Sequence, residues 1–213
     1  MNEPLNGVRY LINNPAPVRE YLLGHLQMTG LALLIALLIA TPLGFLIARR
    51  RWLAGPILGA LGILYTVPSL ALIILLIPRF GLNRRSVVIA LVVYAQVILV
   101  RNIAAGLGAV DPAIVEAARG MGMTQGEILM RIELPLALPV IVAGLRIATV
   151  TVISVAVVAA YVNAGGLGTL IFSGISNDHA PKIWTGALTA CVLAVIADLS
   201  LARLEYWLRA RSA

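Results

Sequence analysis

Apolar residues in this chain come in long runs separated by short polar segments. A helix rises 1.5 Å per residue, so crossing the bilayer's hydrocarbon takes roughly 20 apolar residues. Five stretches meet that length: Leu22–Ala48, Leu53–Ile77, Val87–Leu107, Leu136–Tyr161 and Trp184–Trp207. The third is interrupted by Arg101 and Asn102 before its apolar pattern resumes. The pattern predicts an all-α integral membrane protein of about five transmembrane helices, a single transmembrane domain over residues 1–213. Residues 1–21 are polar and read as an external or interfacial segment. The run after them is too long for the apolar part of a cleavable signal, so the chain is expected to be inserted.

Small residues and prolines recur inside the runs: Pro42 and Gly44, Gly59 and Gly62, Pro68 and Ser69, Gly144, Gly186. Small side chains let helices approach closely in lipid. Pro68 is also placed to bend span two and open a cavity.

Composition agrees with solvation by lipid. Charged residues make up 12% of the 213, and mean hydropathy is +0.98, against about 25% charged in soluble domains. The net charge of +7 is scattered over several loops rather than gathered on one face, which argues against nucleic acid. The one cysteine, Cys191, lies in an apolar run and excludes an intrachain disulfide. With five spans, the ends lie on opposite sides. One face holds Arg49, Arg50, Arg51, Arg101, Arg119, Arg131, Arg203, Arg209 and Arg211; the other holds Arg9, Arg19, Arg79, Arg84, Arg85 and Lys182. The richer face is expected to be cytoplasmic, with the N-terminus outside and the C-terminus inside. Trp52, Tyr206 and Trp207 then form the inner aromatic belt, and Tyr21, Phe80 and Trp184 the outer one.

The polar stretch of about residues 108–135 is the most informative part. Asp111-Pro112 is a strong helix start, since Asp caps free amides and Pro suits the first helical position. Gly120-Met121-Gly122 is a stop. Thr124, with Glu127 three residues on, is a capping box opening a second helix. That helix places Ile128, Leu129 and Ile132 on one face, and Leu134-Pro135 is expected to end it. A loop with its own capped helices reads as a docking lever for a soluble partner; an amphipathic loop resting on the membrane is the blander alternative.

Candidates for a polar path are Tyr65, Pro68, Ser69, Tyr94, Gln96, Asn102, Thr149, Thr151 and Ser154. Hydrogen bonding between or within helices would explain most of them equally well. Arg146 and Asp198 are the charges deepest in spans, and snorkelling or a structural ion pair accounts for both. His25 and His179 have no metal-ligand partners in the pattern and read as surface or interfacial.

Glu116-Ala117-Ala118, three residues, Gly122, nine residues, Ile132, one residue, Leu134-Pro135: this gapped spacing resembles the signature of permease subunits of ATP-binding-cassette importers at every defined position. More narrowly, Tyr65–Leu72, Asp111–Thr124 and Ala164–Gly168 resemble the osmoprotectant permeases, which take up glycine betaine, choline, carnitine and similar solutes. The resemblance covers about residues 22–208. It implies a type I importer: two permease subunits, this chain with a second copy or a sister, an ATPase dimer on the cytoplasmic side, and a substrate-binding protein outside. It further implies that Glu116, Ala117, Ala118, Arg119, Gly120 and Gly122 couple to the ATPase, with Leu134 and Pro135 closing the unit. Gly165, Gly166 and Gly168, in the outer stretch Asn163–Lys182, would face the binding protein. The chain carries no phosphate-binding loop, so ATP and Mg²⁺ would be bound by the partner and no cofactor by this chain. Asn163, Thr169 and Tyr65 depart from the residues frequent in the osmoprotectant group, which bears on the solute. A permease for another small solute such as an amino acid, a membrane-embedded enzyme, and a passive pore or scaffold are the competing readings.

Overall fold

The computed structural model describes residues 3–212. These residues are helical almost throughout: α1 Glu3–Asn13, α2 Pro15–Arg49, α3 Ala54–Thr66, α4 Ser69–Phe80, α5 Arg84–Gly108, α6 Pro112–Gly120, α7 Gln125–Ile128, α8 Leu134–Ala156, α9 Gly168–Ser176 and α10 Ala180–Ser212.

Side-chain pairings set the direction of each span. α2 and α5 run parallel: Arg84 Nη1 donates to Gln27 Oε1 (3.4 Å) at one end, Gln96 Nε2 to the Ala36 carbonyl (3.2 Å) midway, and Gly44 packs on Ile103 at the other end. The chain between them must therefore cross back. That crossing is α3 and α4, so the pair is one broken span. α8 runs antiparallel to α5, with Gly106 against Ala137 and Gly144 against Asn102. α10 returns alongside α8, with Arg146 of α8 paired to Asp198 of α10. Five crossings result. One end of the bundle carries α1, the α4–α5 turn and the segment around α9. The other carries the α2–α3 turn, the α5–α8 connection and the end of α10.

α5 is the hub, buried on most of its surface. Met28, Ala32, Ala36 and Ala40 form an i, i+4 stripe on α2 that meets Val87, Leu91, Ala95 and Leu99 of α5 in a single core. Small residues on one side and branched ones on the other allow close packing without a hydrophobic drive between helices in lipid.

Several expectations are corrected. Span two is not one bent helix. Val67 and Pro68 are extended (ψ 127° and 136°), and the halves meet at 96°. Arg101 and Asn102 do not weaken span three, because Asn102 Nδ2 donates back to the Ile98 carbonyl (2.8 Å) and Arg101 is exposed. Span four stops at Ala156 and continues as a 3₁₀ helix to Val162. Part of the 1–21 segment is structured: α1 packs on α10, where Thr185 Oγ1 donates to the Gly7 carbonyl (2.8 Å), and α2 already begins at Pro15. His25 is not interfacial but fully buried.

Candidate coupling site and translocation face

The α5–α8 connection is built from local signals that all engage. Asp111 accepts from the Ala113 amide (2.8 Å), capping α6 with Pro112 in its first turn. α6 ends in a Schellman motif: the Met123 amide donates to the Ala118 carbonyl (3.2 Å) and the Gly122 amide to the Arg119 carbonyl (2.9 Å). Gly122 holds φ +82° there. A side chain would have open space at Gly122 but the wrong backbone, which is why this position wants glycine. The capping box is complete: the Glu127 amide donates to Thr124 Oγ1 (3.3 Å), and the Thr124 amide to Glu127 Oε2 (2.9 Å). These bonds from Thr124, with Arg131 4.0 Å away, hold the Glu127 carboxyl below the usual carboxylate range.

Leu134-Pro135 does not end the second helix. Leu134 stays helical (φ −65°, ψ −48°), and α7 runs through a π-helical turn, Leu129–Glu133, directly into α8. The Leu134 amide reaches back to the Leu129 carbonyl. This wider turn makes room for the proline ring one residue later. Leu134 and Pro135 therefore join the lever rigidly to span four instead of closing it off.

The lever presents Glu116, Ala117, Arg119, Gly120 and Met121 to solvent, while Ala118 and Ile128 are buried where α6 meets α7. The outward face is low in relief at Ala117 and Gly120, with a carboxylate and a guanidinium on it. Such a face accepts a close-fitting protein surface and orients it by charge.

The path candidates divide. Tyr65 (40% exposed), Pro68 and Ser154 reach the surface, and Ser69 is half-buried. Tyr94 lies buried behind Tyr65, ring centroids 5.4 Å apart, and its hydroxyl donates to the Val67 carbonyl that the break leaves free. Gln96 and Thr149 are buried, bonded to the Ala36 and Leu145 carbonyls, and Asn102 packs on Gly144. Thr151 and Ser154 bond back to Ile147 and Val150 within α8 (both 2.9 Å). The break thus gathers Tyr65, Tyr94, Pro68 and Ser69, whereas Gln96, Asn102 and Thr149 serve packing.

At the opposite end, Gly165 and Gly166 take φ +81° and +83°. Gly166 lies against the His25 ring, and His25 Nδ1 accepts from the Leu167 amide (3.4 Å). Gly168 sits over the Val157 carbonyl. Gly166 and Gly168 are buried and so offer no docking surface of their own. The adjoining surface belongs to α9 and its flanks, where Ile175, Ser176 and Asn177 are exposed.

Two charge pairings cross between helices, and the first was not readable from spacing. Arg49 Nη1 donates to Glu133 Oε1 (3.0 Å), with Nη2 on the second oxygen. Glu133 occupies the undefined position between Ile132 and Leu134, and Arg49 lies in a cluster that reads as topological. The second pairing joins α8 to α10: Arg146 Nε and Nη2 donate to Asp198 (2.5 and 2.9 Å), with Glu205 at 3.7 Å. This is the structural ion pair rather than snorkelling. Among the described residues, no three His, Cys, Asp or Glu side chains converge.

Residues 40–211 match the family described as binding-protein-dependent transport system inner membrane component. The osmoprotectant import permease protein OsmW of Salmonella typhimurium is 40% identical over 206 residues, 94% of this chain and 96% of its own length. The carnitine transport permease protein OpuCB of Listeria monocytogenes is 37% identical over 85% of this chain and 84% of its own. The choline transport system permease protein OpuBB of Bacillus subtilis is 34% identical over 93% and 91%. Among solved structures, the MetNI methionine ABC transporter gives a TM-score of 0.79 at 21% identity, over 90% of this chain and 96% of that one. At that identity the likeness shows the fold alone. With its crossings, its capped lever and these relatives, the chain belongs to the family of binding-protein-dependent transport system inner membrane components, as a multi-pass permease subunit and not an enzyme.

Proposed function

We propose that this chain is the membrane-spanning subunit of an ATP-driven importer for small osmoprotectants such as glycine betaine, choline or carnitine. Its partners are a separate ATPase dimer, a second permease (another copy or a sister chain) and a substrate-binding protein. ATP and Mg²⁺ belong to the ATPase. The lever end faces the cytoplasm of a prokaryotic cell, the N-terminus lies outside and the C-terminus inside. The richer arginine content of the lever end supports that orientation.

The observation that carries the reading is the continuous backbone from the lever into span four. A push on α6 passes through the tight Gly122 turn to α7, and from α7 to α8 there is no break in the helix. Closure of the ATPase pair would drive the two levers together and tilt α5 and α8 as near-rigid rods, exchanging two discrete packings. ATP and solute bias that exchange only if each favours one packing. The surface around Tyr65, Pro68, Ser69 and Ser154 lines the path. Tyrosine faces suit a quaternary ammonium by cation–π attraction, in the range of roughly 0.5–2 kcal/mol. A modest attraction suits a site that must also release. The delivering protein docks at the end that carries α9.

Reconstitution tests this. The permease with its ATPase and binding protein should accumulate labelled glycine betaine, choline or carnitine only with ATP. Glu116→Lys and Gly122→Asp should abolish uptake and ATPase capture at unchanged membrane abundance. A Glu116→Cys probe in a Cys191→Ala background should resist membrane-impermeant thiol reagents applied to intact cells. Uptake without ATP would mark a passive pore, and labelling from outside would reverse the orientation.

A further inference from the structure

We propose that Arg49 and Glu133 form a permanent clamp that makes span one travel with the lever, so that a push on α6 moves three spans as one body. The proposal rests on the coupling reading above and concerns residues away from the docking face.

Arg49 is the last residue of α2, and Glu133 closes the π-helical turn below the lever. They are 84 residues apart in sequence. The guanidinium holds both carboxylate oxygens, one at 3.0 Å. The Glu133 side chain is only 8% exposed, and Arg49 Cζ lies 5.1 Å from the centroid of the Phe45 ring. A carboxylate buried that far is costly without a partner, and the planar guanidinium fork is the one side chain that meets it at two points. Two-point contact sets orientation as well as distance, so the end of α2 cannot pivot freely on the turn. The C-terminal end of a helix also favours the cation that Arg49 places there.

Position gives the pair its role. The turn is where a displacement of α6 passes into α8, and the clamp passes the same displacement to α2. α2 and α8 both lie along α5, in close contact through Gly44 on Ile103 and Gly144 on Asn102. Lever, α2, α5 and α8 then move together, while the broken span α3–α4 accommodates the shift. Arg50 and Arg51, beside Arg49 in sequence, are exposed and take no part.

Reconstituted complexes of permease, ATPase and binding protein give the test. Arg49→Glu and Glu133→Arg should each lower uptake roughly tenfold, with the ATPase still co-purifying and more ATP hydrolysed per solute moved. The double swap should recover most of the uptake and the original ratio. Arg49→Cys with Glu133→Cys, in a Cys191→Ala background and joined by a bifunctional thiol reagent, should transport because the tie need not open. Normal uptake by the single variants would overturn the clamp, as would a loss that only tracks the amount of folded protein. Arrest of the fully joined pair would overturn its permanence. A wild-type complex that ignores ATP would bring down the coupling reading and the clamp with it, a result distinct from the others.

Discussion

Val67-Pro68 and Leu134-Pro135 pose the same local problem and end oppositely. In each, proline removes an amide donor and disfavours helical conformation at the preceding residue. At Val67 the helix breaks by 96°; at Leu134 it runs on. Pro42, Pro78 and Pro139 also lie inside unbroken helices. The difference lies in what satisfies the freed backbone. At the break the Tyr94 hydroxyl from α5 donates to the Val67 carbonyl, so an extended segment is stable there. At the lever end a π-helical turn absorbs the defect within the chain itself, and Arg49 secures the turn from outside. One proline makes a sharp break, the other a continuous joint.

If that account holds, Tyr94→Phe should have the largest effect. It leaves the Val67 carbonyl without its donor, at a cost of about 1–3 kcal/mol. Thermal unfolding in detergent should shift down, and uptake should fall with it. An unchanged melting curve would mean that the break is held by something else.

Pro135→Ala sharpens the other half. Without the ring, the π-helical turn can tighten to α, which rotates the lever by about 100° relative to α8. Stability should hold or rise while uptake drops several-fold. Equal uptake would show that the turn's register does not matter.

Thr124→Ala should act least, costing about 1 kcal/mol in local helix stability, read as faster amide exchange confined to Gln125–Ile128. The same cap gives a pH signature. Because the folded Glu127 pKa lies below its usual value, its contribution is present above the unfolded pKa and is lost as pH falls through the folded one. Protection in this segment, taken relative to the intrinsic exchange rate at each pH, should therefore fall in acid, and less so in Thr124→Ala.

Legibility follows the same division. The lever could be read almost whole, because Asp111, Pro112, Gly122, Thr124 and Glu127 act on neighbours within five residues. Its one misreading, at Pro135, came from applying a local rule where the next residues could adjust. The path candidates could not be told apart in the sequence. Tyr65 and Asn102 look alike as polar residues in apolar runs, yet one reaches the surface and the other is wedged on Gly144. The outer glycines looked like a docking loop, but His25 and Val157 lie against them.

The amino-acid order by itself determined the number of crossings, the capped lever and its place between spans three and four, since hydrocarbon thickness and capping chemistry act on contiguous residues. Only the tertiary structure decided where span two breaks, which polar groups face outward, and that Arg49 reaches Glu133. Those outcomes depend on which distant group arrives to satisfy a buried charge or a freed carbonyl, and no local pattern encodes that arrival.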